Sequence, residues 1–237
     1  MKGIMENLTK LNEILLSENV VENFSNEYNG NANFRTWLIG ILPEVEKCRN
    51  CKQNNPWHIY DVLSHILHSV EEINRQSFGM SESERLELAY IMFLHDIAKP
   101  KCKFAKKDKN GKMIDHFYDH NKESAIIAKR VLPQFGFDKS EIAVMVKLIF
   151  KHDIFINVKD FKSNNPYFRF LTIELVIEEI EELNQVGDGY KLFDYLIKIA
   201  RADALAQNPE MNPSSLKLLN KVESIYKKLP NPDNENE

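Results

Sequence analysis

Apolar residues recur at three- and four-residue spacing along most of this chain, and this period constrains its fold more than any other feature. Such spacing lines one face of a helix, whereas the two-residue alternation typical of strands is rare here. Glycine contributes only 8 of the 237 residues. We therefore predict an all-α chain with one main domain, because a chain of this length that is 43% hydrophobic can bury one sizeable core.

The periodic segments predict helices near residues 3–24, 33–47, 57–75, 82–98, 121–134, 138–152, 167–185, 189–207 and 213–228. Ser81 and Glu84 have the spacing of a capping box at the start of the fourth helix. Residues 99–121 are different, because they are rich in lysine, contain Asn110-Gly111 and have no helical period. We interpret them as a long loop, and long loops inside compact domains are usually functional.

Charge, hydropathy and cysteine content exclude several classes of protein. The net charge of −4 and the isoelectric point near 6.0 predict no strong overall attraction to nucleic acid, although a local basic patch stays open. No apolar run approaches the roughly 18 residues that a membrane-spanning helix needs, and the N-terminal segment lacks the apolar core of a signal peptide. Three cysteines form no disulfide framework, so we expect a reducing cytoplasm. Cys48 and Cys51 form a single CxxC pair, which is too few ligands for a structural zinc site.

Four polar residues follow one another at helical spacing in the predicted helix 57–75. His58, Asp61, His65 and His68 are separated by three, four and three residues, so we expect them on one stripe of that helix. A stripe of this kind is either a solvated helix surface or the side of the helix that faces a functional site.

The apolar run Ile91–Leu94 ends abruptly in His95-Asp96, and Lys99 follows His95 by four residues. Neighbouring helix residues diverge by about 100°, so both side chains can lean into one site at the end of the helix. An ionised carboxylate is costly to bury unless it is paired or binds a metal. The alternative is that Asp96 is a solvated helix-end residue beside a core histidine.

Three further candidates for functional residues have positions that, taken one at a time, are common for residues without a special role. His120 begins the helix after the lysine-rich segment, and His152 closes the predicted helix 138–152. Asp203 interrupts apolar residues of a late helix, which indicates a buried side. His152 and Asp153 form a second His-Asp pair, and we interpret Asp153 as a helix-end residue.

Taken in chain order, these residues resemble the HD superfamily of metal-dependent phosphohydrolases. The signature of that superfamily is a histidine, a downstream adjacent His-Asp pair and a distant aspartate on a late helix. The matching residues here are His65, His95-Asp96, His120, His152 and Asp203. The chain is more similar still to the HD domain in the C-terminal half of bacterial tRNA nucleotidyltransferases, the CCA-adding enzymes. That similarity runs from about residue 38 to 212 and is carried by ILPEVEKC, QNNPWHIYDVLSHILHSV, LHDIAKPK, FYDHNKESAIIAKRVLPQFGF, IFKHD and RADALAQNPE.

The resemblance implies a metal site with two groups of ligands. One metal would be held by His65, His95, Asp96 and Asp203. A second would be held by His120 and His152, with Asp96 bridging the two. Imidazole and carboxylate ligands suit Mn, Fe, Co, Ni or Zn, and Mg is also possible, so we expect one or two divalent ions.

The resemblance also implies roles around those ligands. Lys99 would meet a substrate phosphate, although a cation at a helix C-terminus is favourable for its own sake. Apart from the resemblance, the position of His58 and Asp61 on the predicted stripe of His65 suggests that they orient its imidazole. His68 and His116 receive no assignment. The loop lysines either attract anionic substrates or form a solvated run, and they are Lys101, Lys103, Lys106 and Lys107.

The chain departs from the tRNA enzymes at its N-terminal end. Those enzymes begin with a nucleotidyltransferase head that holds a glycine-rich segment and catalytic carboxylates, and the 57 residues before His58 are too few for it. We therefore expect a free-standing HD protein that adds no nucleotides to tRNA. Its expected parts are an N-terminal helical extension at 1–50, an HD domain at 51–212, and a C-terminal helix with a disordered tail at 213–237.

These expectations point to hydrolysis of a phosphomonoester or phosphodiester by metal-activated water. The resemblance favours nucleotides or RNA ends as substrates, for example 2′,3′-cyclic phosphates. One alternative is a non-catalytic module that binds RNA or a protein partner. Another is the separate HD half of a split tRNA nucleotidyltransferase. No membrane partner is expected, and no oligomeric state follows from the sequence.

Overall fold

Helices packed against one another make up most of the chain in the computed structural model, which describes residues 2–230. The all-α prediction is confirmed. The helices are α1 (Lys2–Leu15), α2 (Val20–Gly30), α3 (Ala32–Ile41), α4 (Glu44–Cys48), α5 (Val62–Gln76), α6 (Glu82–Leu94), α7 (Lys99–Cys102), α8 (His120–Val131), α9 (Lys139–Lys151), α10 (Ile173–Leu183), α11 (Gly189–Leu205) and α12 (Pro213–Tyr226). The part of the predicted disordered tail from residue 231 onward lies outside the described residues.

Two small sheets accompany the helices. The strands β1 (Phe104–Lys107) and β2 (Met113–His116) form an antiparallel hairpin, and β3 (Val158–Lys159) pairs in parallel with β4 (Arg169–Phe170). Short 3-10 turns follow α8 and α9. Among residues 2–230, no helix is both long and apolar enough to cross a membrane.

Helix α6 lies at the centre of the bundle. Every residue from Leu88 to Leu94 is buried, as expected for a helix that is surrounded by others rather than packed on one side. It contacts α5, α8, α9 and α11, and α5 in turn packs against α11. The ends of these five helices meet on one side of the core, and that meeting point positions the site described below.

The N-terminal helices share this core. Helix α1 packs against α2 and α6, and α2 packs against α5. The fully buried ring of Phe24 stacks on Tyr28 at 5.4 Å and lies 5.9 Å from the ring of Phe93 in α6. Burial of these aromatic rings ties the first 30 residues to the central helix.

The predicted helix 3–24 is wrong as one helix, because the structure divides it into α1 and α2. The break is stabilised from outside the segment. The side-chain amide of Asn74 donates to the backbone carbonyls of Leu15 and Ser17 at 2.8 and 3.0 Å. These bonds satisfy carbonyl groups that a helix end leaves without partners.

Two other predicted helices are shorter than expected. The predicted helix 33–47 divides into α3 and α4 at Pro43, which has no N–H to continue the ladder of α3. The predicted helix 167–185 begins only at Ile173, because Thr172 caps it and the preceding residues form β4. The predicted helices near 121–134, 138–152, 189–207 and 213–228 are confirmed within a few residues as α8, α9, α11 and α12.

The predicted stripe on helix 57–75 is wrong in part. The helix α5 begins at Val62, because the side chain of Asp61 accepts the backbone N–H of Ser64 at 2.8 Å and acts as its N-cap. His58 therefore lies in the loop before α5 and not on the helix.

The helix predicted at 82–98 begins as expected and ends early. Ser81 and Glu84 form the predicted capping box at its start. It ends at Leu94, and the next residues form tighter turns, in which the N–H of Lys99 donates to the carbonyl of Asp96 at 2.9 Å. Lys99 therefore begins α7 and does not continue the face of α6.

The segment 99–121 is not an irregular loop, which corrects that prediction. It holds α7 and the β1–β2 hairpin. The hairpin turn contains Gly111, whose φ of +81° lies in the left-handed region that glycine adopts without strain. Asp108 closes the turn by pairing its backbone with Lys112. The Asn-Gly pair was thus a hairpin signal.

The packing of α2 predicts that Phe24→Ala destabilises the whole fold. Removal of this buried ring should lower the free energy of unfolding by about 3–5 kcal/mol, because a cavity remains in the core. Urea denaturation measures this change. The control is Phe78→Ala, since Phe78 is 99% exposed and its removal should change the stability by less than about 0.5 kcal/mol. Equal effects of the two substitutions would contradict the shared core.

Candidate metal centre

The structure brings together all six residues that the sequence predicted as metal ligands. They come from the first turn of α5, from the turn after α6, from the start of α8, from the end of α9 and from α11. They form two groups whose ligand atoms lie within 4.8 Å of one another. The first group is His65, His95, Asp96 and Asp203, and the second is Asp96, His120 and His152.

The first group is almost completely buried. The Nε2 atom of His65 lies 3.2 Å from Oδ2 of Asp96 and 2.9 Å from Oδ1 of Asp203. The Nε2 atom of His95 lies 3.3 Å and 3.6 Å from the same two oxygens. Two imidazoles and two carboxylates therefore face a common point that solvent does not reach freely.

The second group uses the other oxygen of Asp96. Its Oδ1 atom lies 3.1 Å from Nε2 of His120 and 3.7 Å from Nε2 of His152. The two Nε2 atoms are themselves 3.2 Å apart. Asp96 thus presents one oxygen to each group, which is the bridging position that the resemblance implied.

Backbone carbonyl groups set the orientation of all four histidines. The bonds from Nδ1 join His65 to Ala206 at 3.2 Å, His95 to Met92 at 2.6 Å, His120 to Phe117 at 2.8 Å and His152 to Ile149 at 2.7 Å. A carbonyl oxygen only accepts, so each Nδ1 carries a proton. In a neutral ring the lone pair is then at Nε2, and in a protonated ring Nε2 carries a second proton. Three of these bonds reach the residue three positions earlier, where the end of a helix or a turn leaves a carbonyl free.

The donor atoms fit a bound cation. Within residues 2–230, Nε2 of His65, Nε2 of His95 and Oδ1 of Asp96 are buried without a hydrogen-bond partner, whereas Oδ2 of Asp96 is contacted by Lys99. The lone pairs of His120 and His152 also face each other across 3.2 Å. Nitrogen lone pairs and carboxylate oxygens repel one another at such distances unless protons or a bound cation supply positive charge between them. This set of nitrogen and oxygen donors suits a divalent transition metal.

The electrostatics of the cluster favour ionised carboxylates. Burial alone would raise the pKa of Asp96, but the neighbouring charges of His95 and Lys99 hold it well below its usual value. Burial likewise opposes ionisation of Asp203, and hydrogen bonds from His65 and His95 lower its pKa well below the usual range. Burial works against protonation of His95, yet the charge of Asp96 raises the pKa of His95 to about 10. Burial lowers the pKa of His152 to about 4.

Lys99 is buried beside the cluster with three acceptors around its ammonium group. Its Nζ atom lies 2.5 Å from Oδ2 of Asp96, 3.0 Å from Oε1 of Gln53 and 3.2 Å from Nε2 of His58. The Nδ1 atom of His58 is 2.9 Å from the side-chain oxygen of Asn55, so Nδ1 carries the proton and Nε2 accepts from Lys99. The three N–H groups of the ammonium are thus all engaged.

His58 lies near the site, as expected, but in a loop and not on the predicted helix face. Gln53 also lies there, and the sequence pattern does not predict it. The two residues reach Lys99 from the loop before α5 rather than from a helix face. They also line a polar cavity of about 660 Å³ that includes Asn50, Asn54 and Tyr60. The string that contains them was part of the resemblance, but amides in a loop carry no spacing signal that marks one of them.

The remaining predicted residues lie away from the ligand atoms. Asp61 caps α5 and does not contact the imidazole of His65, whose Nδ1 instead meets Ala206. His68 packs on Tyr60 with ring centroids 4.2 Å apart and contacts Glu71. His116 lies in β2, and Lys101 and Lys103 form ion pairs with Glu123 and Asp115. Asp153 is a helix-end residue, as interpreted from the sequence.

Comparison with known proteins finds distant similarity to a longer enzyme. The chain is 25% identical over 148 residues to the bifunctional uridylyltransferase/uridylyl-removing enzyme of Rhodopseudomonas palustris. The match covers 56% of this chain and 14% of that relative, so the chain spans about one seventh of the length of the protein it matches. No protein-family model matches the chain. The distant similarity and the buried His/Asp cluster together fit an HD-type metal site.

The two ligand groups predict two bound ions per chain. The double substitution His120→Asn/His152→Asn removes nitrogen donors from the second group only, so it should reduce the bound metal by one ion. Mass spectrometry of the metal content after dialysis against Mn²⁺ measures this number. The control is His68→Asn, which lies outside both groups and should keep both ions. A double variant with the metal content of the unmodified protein would contradict two separate groups.

Metal binding should also stabilise the fold in a pH-dependent way. At a metal concentration of about 100 times the dissociation constant, the gain is about 2.7 kcal/mol relative to the metal-free protein with EDTA. Protons compete with the ion for the Nε2 lone pairs, and the raised pKa of His95 makes it bind a proton readily. The gain should therefore decrease as the pH falls from about 8 to 6. Thermal unfolding with and without Mn²⁺ at each pH measures it, and a gain that grows at lower pH would contradict imidazole ligation.

Proposed function

We propose that this chain hydrolyses a phosphate ester with a water molecule activated by divalent metal bound at the His/Asp cluster. The observation that carries the proposal is Asp96, a buried carboxylate that faces one ligand group with each oxygen and contacts the ammonium of Lys99. A bound divalent ion offsets the negative charge of a phosphate and lowers the pKa of water toward neutrality.

The protein residues hold and expose this centre. Most ligands are buried, whereas the side chains of His120 and Asp203 keep 13% and 12% of their surface exposed. We therefore expect a substrate to reach the centre past these two side chains. Carbonyl bonds keep the imidazoles in place, so little reorganisation accompanies the reaction.

We assign Lys99 to the substrate phosphate. Its ammonium has three acceptors already, so a phosphate oxygen must replace one of them. Neutral His58 is the acceptor most easily exchanged, because a charged oxygen is the stronger partner for an ammonium group. In this role Lys99 neutralises charge that develops on the phosphate, while it still contacts Asp96.

The substrate class we propose is a phosphomonoester or phosphodiester of a nucleotide or of an RNA end, including 2′,3′-cyclic phosphates. The resemblance to HD domains of tRNA nucleotidyltransferases supports nucleotide chemistry. The name of the relative from Rhodopseudomonas palustris supports it independently, since removal of a uridylyl group by water cleaves a phosphate ester.

Two other functions compete with hydrolysis. A non-catalytic module for RNA or a protein partner would not need all six ligand residues, and all six are present with their Nε2 atoms or carboxylates turned inward. The separate HD half of a split tRNA nucleotidyltransferase would keep the cluster and would bind a second chain that carries the nucleotidyltransferase. Co-purification with such a chain would favour this alternative.

The proposal predicts that Asp96→Asn abolishes metal-dependent hydrolysis. The loss should be about 1,000-fold or more in kcat, because one substitution weakens both ligand groups. The assay uses 2′,3′-cyclic AMP and bis-p-nitrophenyl phosphate with Mn²⁺, Co²⁺, Ni²⁺ or Mg²⁺. His68→Asn is the matched control and should retain activity. Folded protein without turnover under any of these metals would support the binding module instead.

The proposed role of Lys99 predicts that Lys99→Gln causes a smaller loss of activity than Asp96→Asn. It should lower kcat/KM by about 100-fold, since a charge that contacts the phosphate is removed while the ligands remain. Steady-state kinetics against the same substrates measures the change. The matched control is Lys101→Gln, because Lys101 is exposed and pairs with Glu123. Similar kinetics for the two variants would contradict the assignment of Lys99.

A further inference from the structure

We propose that the β1–β2 hairpin with Tyr118 is a binding surface for single-stranded nucleic acid. This inference rests on the proposed function and deepens it, since it makes an oligonucleotide end, rather than a free mononucleotide, the substrate class. Residues 103–116 carry five lysines and two aspartates, a net charge of +3 in a chain of net −4. The positive charge is therefore concentrated in one short element.

Three aromatic rings stack together on this hairpin. The rings of Phe104 and His116, which are partners across the two strands, have centroids 5.4 Å apart and are nearly parallel at 22°. The ring of Tyr118 lies 5.1 Å from Phe104 and 5.3 Å from His116. Phe104 is 40% exposed and Tyr118 is 62% exposed. Aromatic surface of this size outside a core is a stacking platform available to a ligand.

Strand alternation turns these rings away from the protein. Side chains two residues apart share a face, so Lys106 lies on the face of Phe104 and His116. Asp115 lies on the opposite face, where it is buried and accepts hydrogen bonds from the backbone and side chain of Asn54 at 2.8 and 2.9 Å. These bonds anchor one face of the hairpin and leave the other to solvent.

Four exposed lysines complete the surface. Lys103 pairs with Asp115, but within residues 2–230 no ion pair is formed by Lys106, Lys107, Lys109 or Lys112. Their ammonium groups are available to phosphates. Exposed aromatic rings beside cations are the combination that binds single strands, because every base has a π-face and every linkage carries a negative charge.

Only a few residues along the chain separate this surface from the candidate metal centre. Phe117 is buried, with the ammonium of Lys99 5.5 Å from the centre of its ring. Asp119 adopts a φ of +61°, and this turn separates exposed Tyr118 from His120, whose Nε2 faces Asp96. Two residues span at most about 7.6 Å between Cα atoms. A base stacked on Tyr118 thus brings the adjacent phosphate close to the cluster.

The test is direct binding under conditions that prevent turnover. Fluorescence anisotropy follows a labelled eight-nucleotide RNA of mixed sequence that ends in a 2′,3′-cyclic phosphate, in EDTA. Phe104→Ala/Tyr118→Ala should weaken binding about tenfold or more. Lys106→Gln/Lys109→Gln should reduce the slope of log affinity against log salt by about 1.4, at roughly 0.7 per lysine.

The controls use residues with similar exposure elsewhere. Phe78→Ala/Tyr167→Ala removes two aromatic side chains that are 99% and 80% exposed, and it should leave binding unchanged. Thermal unfolding of each variant confirms that the fold is retained, which is expected because none of the substituted rings is buried.

The possible outcomes test the binding surface and the proposed function separately. Wild-type protein that does not bind the RNA, or hairpin variants that bind as tightly as wild type, would overturn the surface even if 2′,3′-cyclic AMP is hydrolysed. Hairpin-dependent binding of vesicles that contain phosphatidylserine, without RNA binding, would overturn it in favour of an anionic membrane. Hairpin-dependent RNA binding without any hydrolysis would support the surface and contradict the proposed function.

Discussion

The buried carboxylate of Asp96 is the group on which the rest of the site depends. An ionised carboxylate with 1% exposure is unfavourable unless positive charge surrounds it. Lys99 and the histidines provide that charge in the protein, and a divalent ion would provide more of it. The early end of α6 makes this arrangement possible, since the turn after Leu94 places His95 and Asp96 in the cluster and brings Lys99 back to the same carboxylate.

Five helices hold the ligands, and the packing around them explains how a polar cluster survives inside an apolar bundle. Helix α6 is buried along its second half, and α5 and α11 lie against it. Each imidazole donates a hydrogen bond from one nitrogen to a backbone carbonyl, so only the other nitrogen is available to bind an ion. The unpaired polar atoms are a cost to the fold that a bound ion removes. We therefore expect stability and the binding of a cation at this cluster to be coupled.

The surroundings of the centre are polar and unevenly charged. On one side, Gln53 and His58 connect Lys99 to a cavity lined by amide side chains. On the other, the chain passes from the exposed rings of the hairpin to His120 within two residues. The net negative charge of the chain gives no indication of this local excess of lysine. The hairpin geometry shows that the lysines and the aromatic rings lie on one element.

The sequence by itself determined the helical class and the capping box at Ser81, and its resemblance to the HD superfamily singled out the six residues of the cluster. Hydrophobic periodicity is a local property of the chain, so it indicates helices without knowledge of the elements against which each helix packs. The break between α1 and α2 could not be predicted from periodicity, because Asn74 stabilises it from a helix that is distant in the sequence. Asn110-Gly111 is a hairpin signal, but the two strands lack alternating apolar residues, so the sequence pattern predicts a loop there.

Only the tertiary structure decided how the site is built. Whether Nε2 of His120 lies 3.2 Å from Nε2 of His152 depends on how α8 and α9 pack, which no spacing along the chain specifies. The same is true of Gln53 and His58, which contact Lys99 through a loop whose path is set by the helices around it. Sequence specifies which chemical groups are available, and packing brings them within the few ångströms at which they could hold one ion.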